Sequence, residues 1–197
     1  MKKLFLAGIA FFLLQDGIAQ TWTKQYDFVD QCICGLSQVG KGGKIGYADK
    51  DGKLIVELTY DEGTMFSEGY ACVKANGKWG YIDSLGKLVV PLKYNDAMSF
   101  HEGLAAVSNG EHYGFINTSG KEVITMRFDN AKSFTDGLAP VMCDSGKWGY
   151  IDANNRLVIP CKFLMADTFD GGIARVMADA TTLYYIDKTG KKVKDVE

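Results

Sequence analysis

Histidine is nearly missing from this chain: His101 and His112 are the only two in 197 residues. Neither belongs to a His-Glu-x-x-His pattern, and no Gly-x-Ser-x-Gly or Cys-x-x-Cys occurs. The sequence grammar of zinc proteases, α/β-hydrolases and dithiol redox proteins is therefore not written here. Basic clusters are missing too. Outside the first few residues the longest basic run is Lys191-Lys192, and without a basic patch or stripe no nucleic-acid partner is expected. No stretch after Leu14 approaches the roughly 20 apolar residues of a membrane-spanning helix. Beyond the same point no segment carries a sustained helical apolar period, which leaves little room for α-helix.

What is present at the N-terminus reads as export. Met1-Lys2-Lys3 is followed by the apolar run Leu4 to Leu14, and Gly17 and Ala19 are small residues at the −3 and −1 sites of a signal peptidase cut. The sequence predicts a signal peptide over residues 1–19, cleavage before Gln20, and a periplasmic or extracellular protein with no transmembrane anchor after cleavage. No cysteine follows the small residues, so a lipoprotein is not expected. Removing Lys2, Lys3 and Asp16 turns 22 basic and 24 acidic residues into 20 and 23, a mildly acidic chain.

Five cysteines follow: Cys32, Cys34, Cys72, Cys143 and Cys161. In an oxidising compartment the odd number leaves at least one thiol free or paired with another chain. Cys32 and Cys34 stand too close for a comfortable bridge. The favoured reading is small half-buried hydrophobes, with one unassigned disulfide as the alternative.

The dominant signal is an internal repeat. Lys78-Trp79-Gly80-Tyr81-Ile82-Asp83 recurs as Lys147 to Asp152, and weaker copies surround Gly46, Gly114 and Tyr184. Positions 46, 80, 114, 149 and 184 are spaced 34, 34, 35 and 35 residues apart. A second marker, Phe-x-x-Gly-x-Ala-x-Val, starts at Phe66, Phe100, Phe134 and Phe169, with a degraded copy from Cys32 to Val39. A third runs Gly86-Lys87-Leu88-Val89-Val90-Pro91, with counterparts at Gly52, Gly120 and Leu157.

These three markers resemble the WG repeat, also called the KWG repeat, of bacterial proteins. The resemblance covers nearly everything after Cys32. It implies a β-rich array and carries over no catalytic residue. Ile45, Tyr113 and Leu183 depart from it by replacing the tryptophan, and Tyr184 replaces the glycine.

Each unit reads as three short strands, such as Leu104–Val107, Tyr113–Asn117 and Glu122–Phe128, punctuated by Asn76-Gly77, Asn109-Gly110, Ser119-Gly120 and Ser145-Gly146. The segments Tyr94–Phe100 and Phe128–Phe134 have room for a turn of helix and no more. The expected fold is all-β: tandem three-stranded antiparallel units, about four and a half of them, stacked as an open twisted array over residues 32–197 behind a lead-in at 20–31. A closed β-propeller is the alternative, though a propeller blade has four strands. The glycine inside each Trp-Gly strand is expected where neighbouring units stack, and Pro91 and Pro160 mark an edge or bulged strand. The first and fifth copies look like caps.

Candidate chemistry is sparse. Asp49, Asp83, Asp152 and Asp187 recur with Asn117 on the strand entering a Gly turn, where local bonding to backbone amides is expected instead of calcium ligation. His101 and His112 stand where other copies carry ordinary polar residues, which predicts surface positions. No catalytic residue, metal site or cofactor is expected. The best candidate surface is a row of recurring aromatics, Trp79, Trp148, Tyr113 and Tyr47, which is either an exposed binding face or the core. The functional expectation is a non-catalytic module binding a protein or cell-envelope component. The rivals are a structural envelope protein, and an enzyme or inhibitor with its site in loops such as Ser108–Glu111 or Met177–Thr182.

Overall fold

The computed structural model describes residues 22–195, and the signal peptide expected at 1–19 lies outside them. Among the described residues, apart from one 3-10 turn, Trp22–Gln25, every regular element is a β-strand. The strands form five antiparallel four-stranded sheets in chain order, none closed on itself. The third sheet is representative: a two-residue lead strand Asp96–Ala97, a second strand Leu104–Ser108, a third Tyr113–Asn117 and an outer strand Glu122–Phe128. The lead strand pairs with the second through Ala97 opposite Val107.

The units thus have four strands, where the sequence reading has three. The segments allowed a turn of helix, 94–100 and 128–134, hold the lead strands Asp96–Ala97 and Asn130–Ala131 instead. A two-residue strand is too short to show alternation, so only its place beside the next strand defines it. The first sheet likewise begins at Phe28–Val29, inside the stretch read as a lead-in, and the array has five sheets.

Local chemistry explains the turns. Glu68-Gly69, Glu102-Gly103, Asp136-Gly137 and Gly171-Gly172 all have positive φ at both residues and sit between isolated bridges such as His101 opposite Leu104. Two consecutive positive φ values make the type I′ loop that matches strand twist. Asn76-Gly77 does the same between the second and third strands of the second sheet. In each interior sheet the Asp or Asn ending the third strand bonds backbone amides, as when Asp83 Oδ1 accepts from Leu85 and Lys87 N–H.

The recurring glycine has a cause inside its own sheet. A methyl built on Gly80 would lie 2.4 Å from the carbonyl oxygen of Val90, and on Gly114 2.5 Å from that of Ile124. Register breaks at this point, between Trp79 and Tyr81 and again between Tyr113 and Phe115, because the outer strand bulges over the glycine. The close approach is therefore to the unit's own outer strand, and the expected role in unit stacking is corrected. Pro91 and Pro160 lie in those outer, bulged strands as expected.

The core is divided into four layers, one between each pair of consecutive sheets. The layer between the second and third sheets joins forward-facing Cys72, Tyr81 and Val90 to backward-facing Ala105, Val107 and Ile116, with Phe100 between them. Fully burying a side chain the size of Val90, Val107, Ile116 or Phe100 contributes about 1.5–3 kcal/mol relative to exposure.

Candidate functional site

The four aromatics singled out from sequence do not form one exposed row. Tyr47 is fully buried and Trp148 nearly so, whereas Trp79 and Tyr113 are half-buried at the margins of their layers. Tyr47 also belongs to a different set. It stands in register with Tyr81, Phe115 and Tyr150, whose rings pack on the phenylalanine of the next sheet. The ring centroids lie 5.1 Å apart for Tyr47–Phe66, 4.6 Å for Tyr81–Phe100 and 4.9 Å for Tyr150–Phe169. The hydroxyls of Tyr47, Tyr81 and Tyr150 donate 2.7 Å bonds to the carbonyls of Thr64, Met98 and Asp167. Burial raises the pKa of all three phenols well above the ordinary value. Tyr113 is different, donating to Asp96 within its own sheet, and burial with the nearby carboxylate pushes its pKa to about 12.

A second set of ties went unnoticed in the sequence. The Glu68 carboxylate accepts N–H bonds from Glu102 at 2.7 Å and Gly103 at 2.9 Å in the next sheet's turn. Glu102 does the same for Gly137, and Asp136 for Gly172. The residues looked like interchangeable turn polars, and only a period of 34 to 36 residues between acid and amide could have flagged them. Around this ladder lies a cleft of about 310 Å3 lined in part by His101, Thr135 and Asp170. The Glu68, Glu102 and Asp136 carboxylates in it are already engaged by backbone amides.

His101 is exposed at this cleft, and His112 is half-buried with Nδ1 4.0 Å from Asp129. Among the described residues no group of three or more His, Cys, Asp or Glu side chains is arranged to hold a metal ion. Likewise, no helix among them is long and apolar enough to cross a membrane.

A groove of about 380 Å3 lies on the outer rim of the third and fourth sheets. Arg127 and Phe128 of one outer strand and Leu157 of the next line it, with Cys143, Asp144 and Ser145 from the turn before Trp148. The Arg127 guanidinium lies 4.8 Å over the Phe128 ring and donates to Asn155. A disulfide joins Cys143 to Cys161 of the outer strand, so the groove wall is covalently fixed. The alternative reading, one disulfide, is therefore the one found; Cys32 and Cys34 are exposed free thiols and Cys72 is buried.

Fold and site together define a class: a β-propeller-like repeat array whose recurrent residues hold sheets to one another. Solved structures agree at the level of fold. A eukaryotic initiation factor aligns with TM-score 0.58 and 14% identity over 85% of this chain and 53% of its own. The computationally designed Ika8 protein gives 0.56 and 11%, over 86% and 61%. Hsv2p of Kluyveromyces lactis gives 0.56 and 13%, over 83% and 62%. The chain thus spans between about half and three fifths of the length of these structures. No curated protein matches it in sequence. The WG containing repeat matches four times in tandem, over residues 45–79, 79–111, 113–147 and 148–180, and the chain belongs to that family.

Proposed function

We propose that this chain is an exported, non-catalytic binding module that holds a protein or another cell-envelope component in the outer groove between its third and fourth sheets. One observation carries the reading. The recurrent side chains of the interior are consumed in layers, phenol bonds and carboxylate ties, while the groove wall carries a feature that no other described unit repeats, the Cys143–Cys161 bridge. A rigid frame with a local, non-repeating concavity is what selective binding needs. The export signature and the Cys143–Cys161 bridge favour an oxidising compartment.

Two measurements test it. Cell fractionation is expected to recover a chain starting at Gln20 from the periplasm or medium; an unprocessed cytoplasmic chain contradicts export. Mature protein and an Arg127→Glu, Leu157→Asp variant, both checked for folding, are then passed over immobilised envelope fractions. Retention of wild type alone supports the groove. Equal retention of both places binding elsewhere, and no retention above background favours a structural envelope role.

A further inference from the structure

The register of the array extends further back than its recognisable motifs. Val56, Val90, Ile124 and Ile159 occupy one position of successive outer strands, at spacings of 34, 34 and 35 residues. Another 34 residues before Val56 stands Trp22, and 34 before Tyr60 stands Tyr26. The structure puts Trp22 in the matching place. A methyl built on Gly86 would meet Val56, one on Gly120 would meet Val90, and one on Gly190 would meet Ile159, each in the preceding sheet. On Gly52 it would meet the Trp22 ring at 2.4 Å. No sheet precedes the first among the described residues, yet Val39 and Ala48, counterparts of Val73 and Ile82 on the backward face, are fully buried. The Trp22 indole N–H is itself buried without a partner.

The other end of the array is altered in the opposite sense. Interior sheets present a row of three register partners forward: Cys72–Tyr81–Val90, Ala106–Phe115–Ile124 and Pro140–Tyr150–Ile159. The fifth presents Arg175–Tyr185–Lys194. Tyr185 is kept, but the small and aliphatic flanks become exposed cations, Arg175 bound to Asp167 at 2.9 Å and Lys194 4.9 Å from the Tyr185 ring centroid. An apolar backward face docking here would strip water from two charges without replacing it.

We infer that the two end faces are complementary surfaces for a second copy of this chain, and that Trp22 at one end and Arg175 with Lys194 at the other keep them from joining. Trp22 is a surrogate for a preceding outer strand; the cations bar the following one. The occupant is specified by continuity: the same two faces meet four times inside one chain. This is independent of what the rim groove binds.

Two variants of the mature chain test it by light scattering after gel filtration. Trp22→Ala opens the backward face, and Arg175→Ala with Lys194→Ile gives the forward row of the fifth sheet the flanking residues of the third, around Tyr185. Each alone, like the wild type, is expected to be a monomer, because one end stays blocked. An equimolar mixture is expected to double in mass, and a chain carrying all three changes to form a ladder of higher oligomers. A mixture that stays monomeric with both variants folded by circular dichroism overturns the inference, as does a wild type that polymerises. If Trp22→Ala fails to fold, Trp22→Ser, which also leaves the slot unfilled, replaces it with the same expected doubling.

Discussion

The Tyr81 hydroxyl donates to the backbone carbonyl of Met98, tying the second sheet to the third, and the bond recurs at Tyr47 and Tyr150. At the equivalent place in the third sheet stands Phe115, which keeps the ring contact with Phe134 but has no hydroxyl. The tie is therefore useful and not obligatory. Tyr81→Phe is expected to lower the unfolding free energy by about 1 kcal/mol, the net worth of one such bond. Denaturant melts check it. An unchanged midpoint would show that water replaces the lost donor.

The glycine of each Trp-Gly strand makes a sharper demand. In Gly149→Ala the new methyl would stand 2.5 Å from the Ile159 carbonyl oxygen. Backbone must move, and a loss of about 1–3 kcal/mol is expected from overpacking. The fifth sheet supplies the contrast: Tyr184 pairs directly with Asp195 and Tyr185 with Lys194, so the outer strand does not bulge over Tyr184, and the register shifts only between Tyr185 and Ile186. A side chain is therefore accommodated at Tyr184, where the ring packs on Phe163.

Thiol chemistry separates the five cysteines. Cys32 and Cys34 are exposed, whereas burial pushes the Cys72 thiol up to about 11. A thiol reagent at neutral pH is expected to modify two residues quickly and Cys72 only on unfolding. Reducing Cys143–Cys161 is expected to cost about 3 kcal/mol, the scale for a closed loop of this size. Rapid modification of a third thiol in native protein would contradict the burial of Cys72.

The buried phenols set the alkaline limit. Their folded pKa values are raised above the ordinary value near 10, so the stability they confer is whole below that pH. Above it the unfolded chain sheds protons that the folded chain keeps, and stability falls. Cys72 acts in the same direction from about pH 9 upward. The urea midpoint is expected to decline between pH 9 and 11, less steeply in Tyr150→Phe. A flat midpoint across that range would show that these groups are hydrated in the native state.

Much of this architecture is legible in the sequence because strand alternation and a fixed period reinforce each other. The second, third and outer strands follow from runs such as Leu104 to Val107 and Tyr113 to Asn117, and the turns from Asn76-Gly77. The lead strands do not follow, since Asp96–Ala97 offers only two residues to read. A glycine announces a close approach but not to what, and Gly80 faces its own outer strand. Cys143 and Cys161 are joined by sheet register, which spacing alone cannot reveal. The Trp22 and Tyr26 register was present in the sequence but lies outside all three markers. For the aromatic row, Tyr47 and Trp148 were visible as periodic, whereas their burial depends on the sheet that follows each.

The most direct test of an open array of five sheets is native-state hydrogen exchange resolved by residue. Sheets with a neighbour on both sides should protect their amides more than a terminal sheet with one. Ala106 and Phe115 in the third sheet are expected to exchange far more slowly than Arg175 and Tyr185 in the fifth. Equal protection in the two sheets would mean that the fifth is covered on both faces, and would contradict an open end.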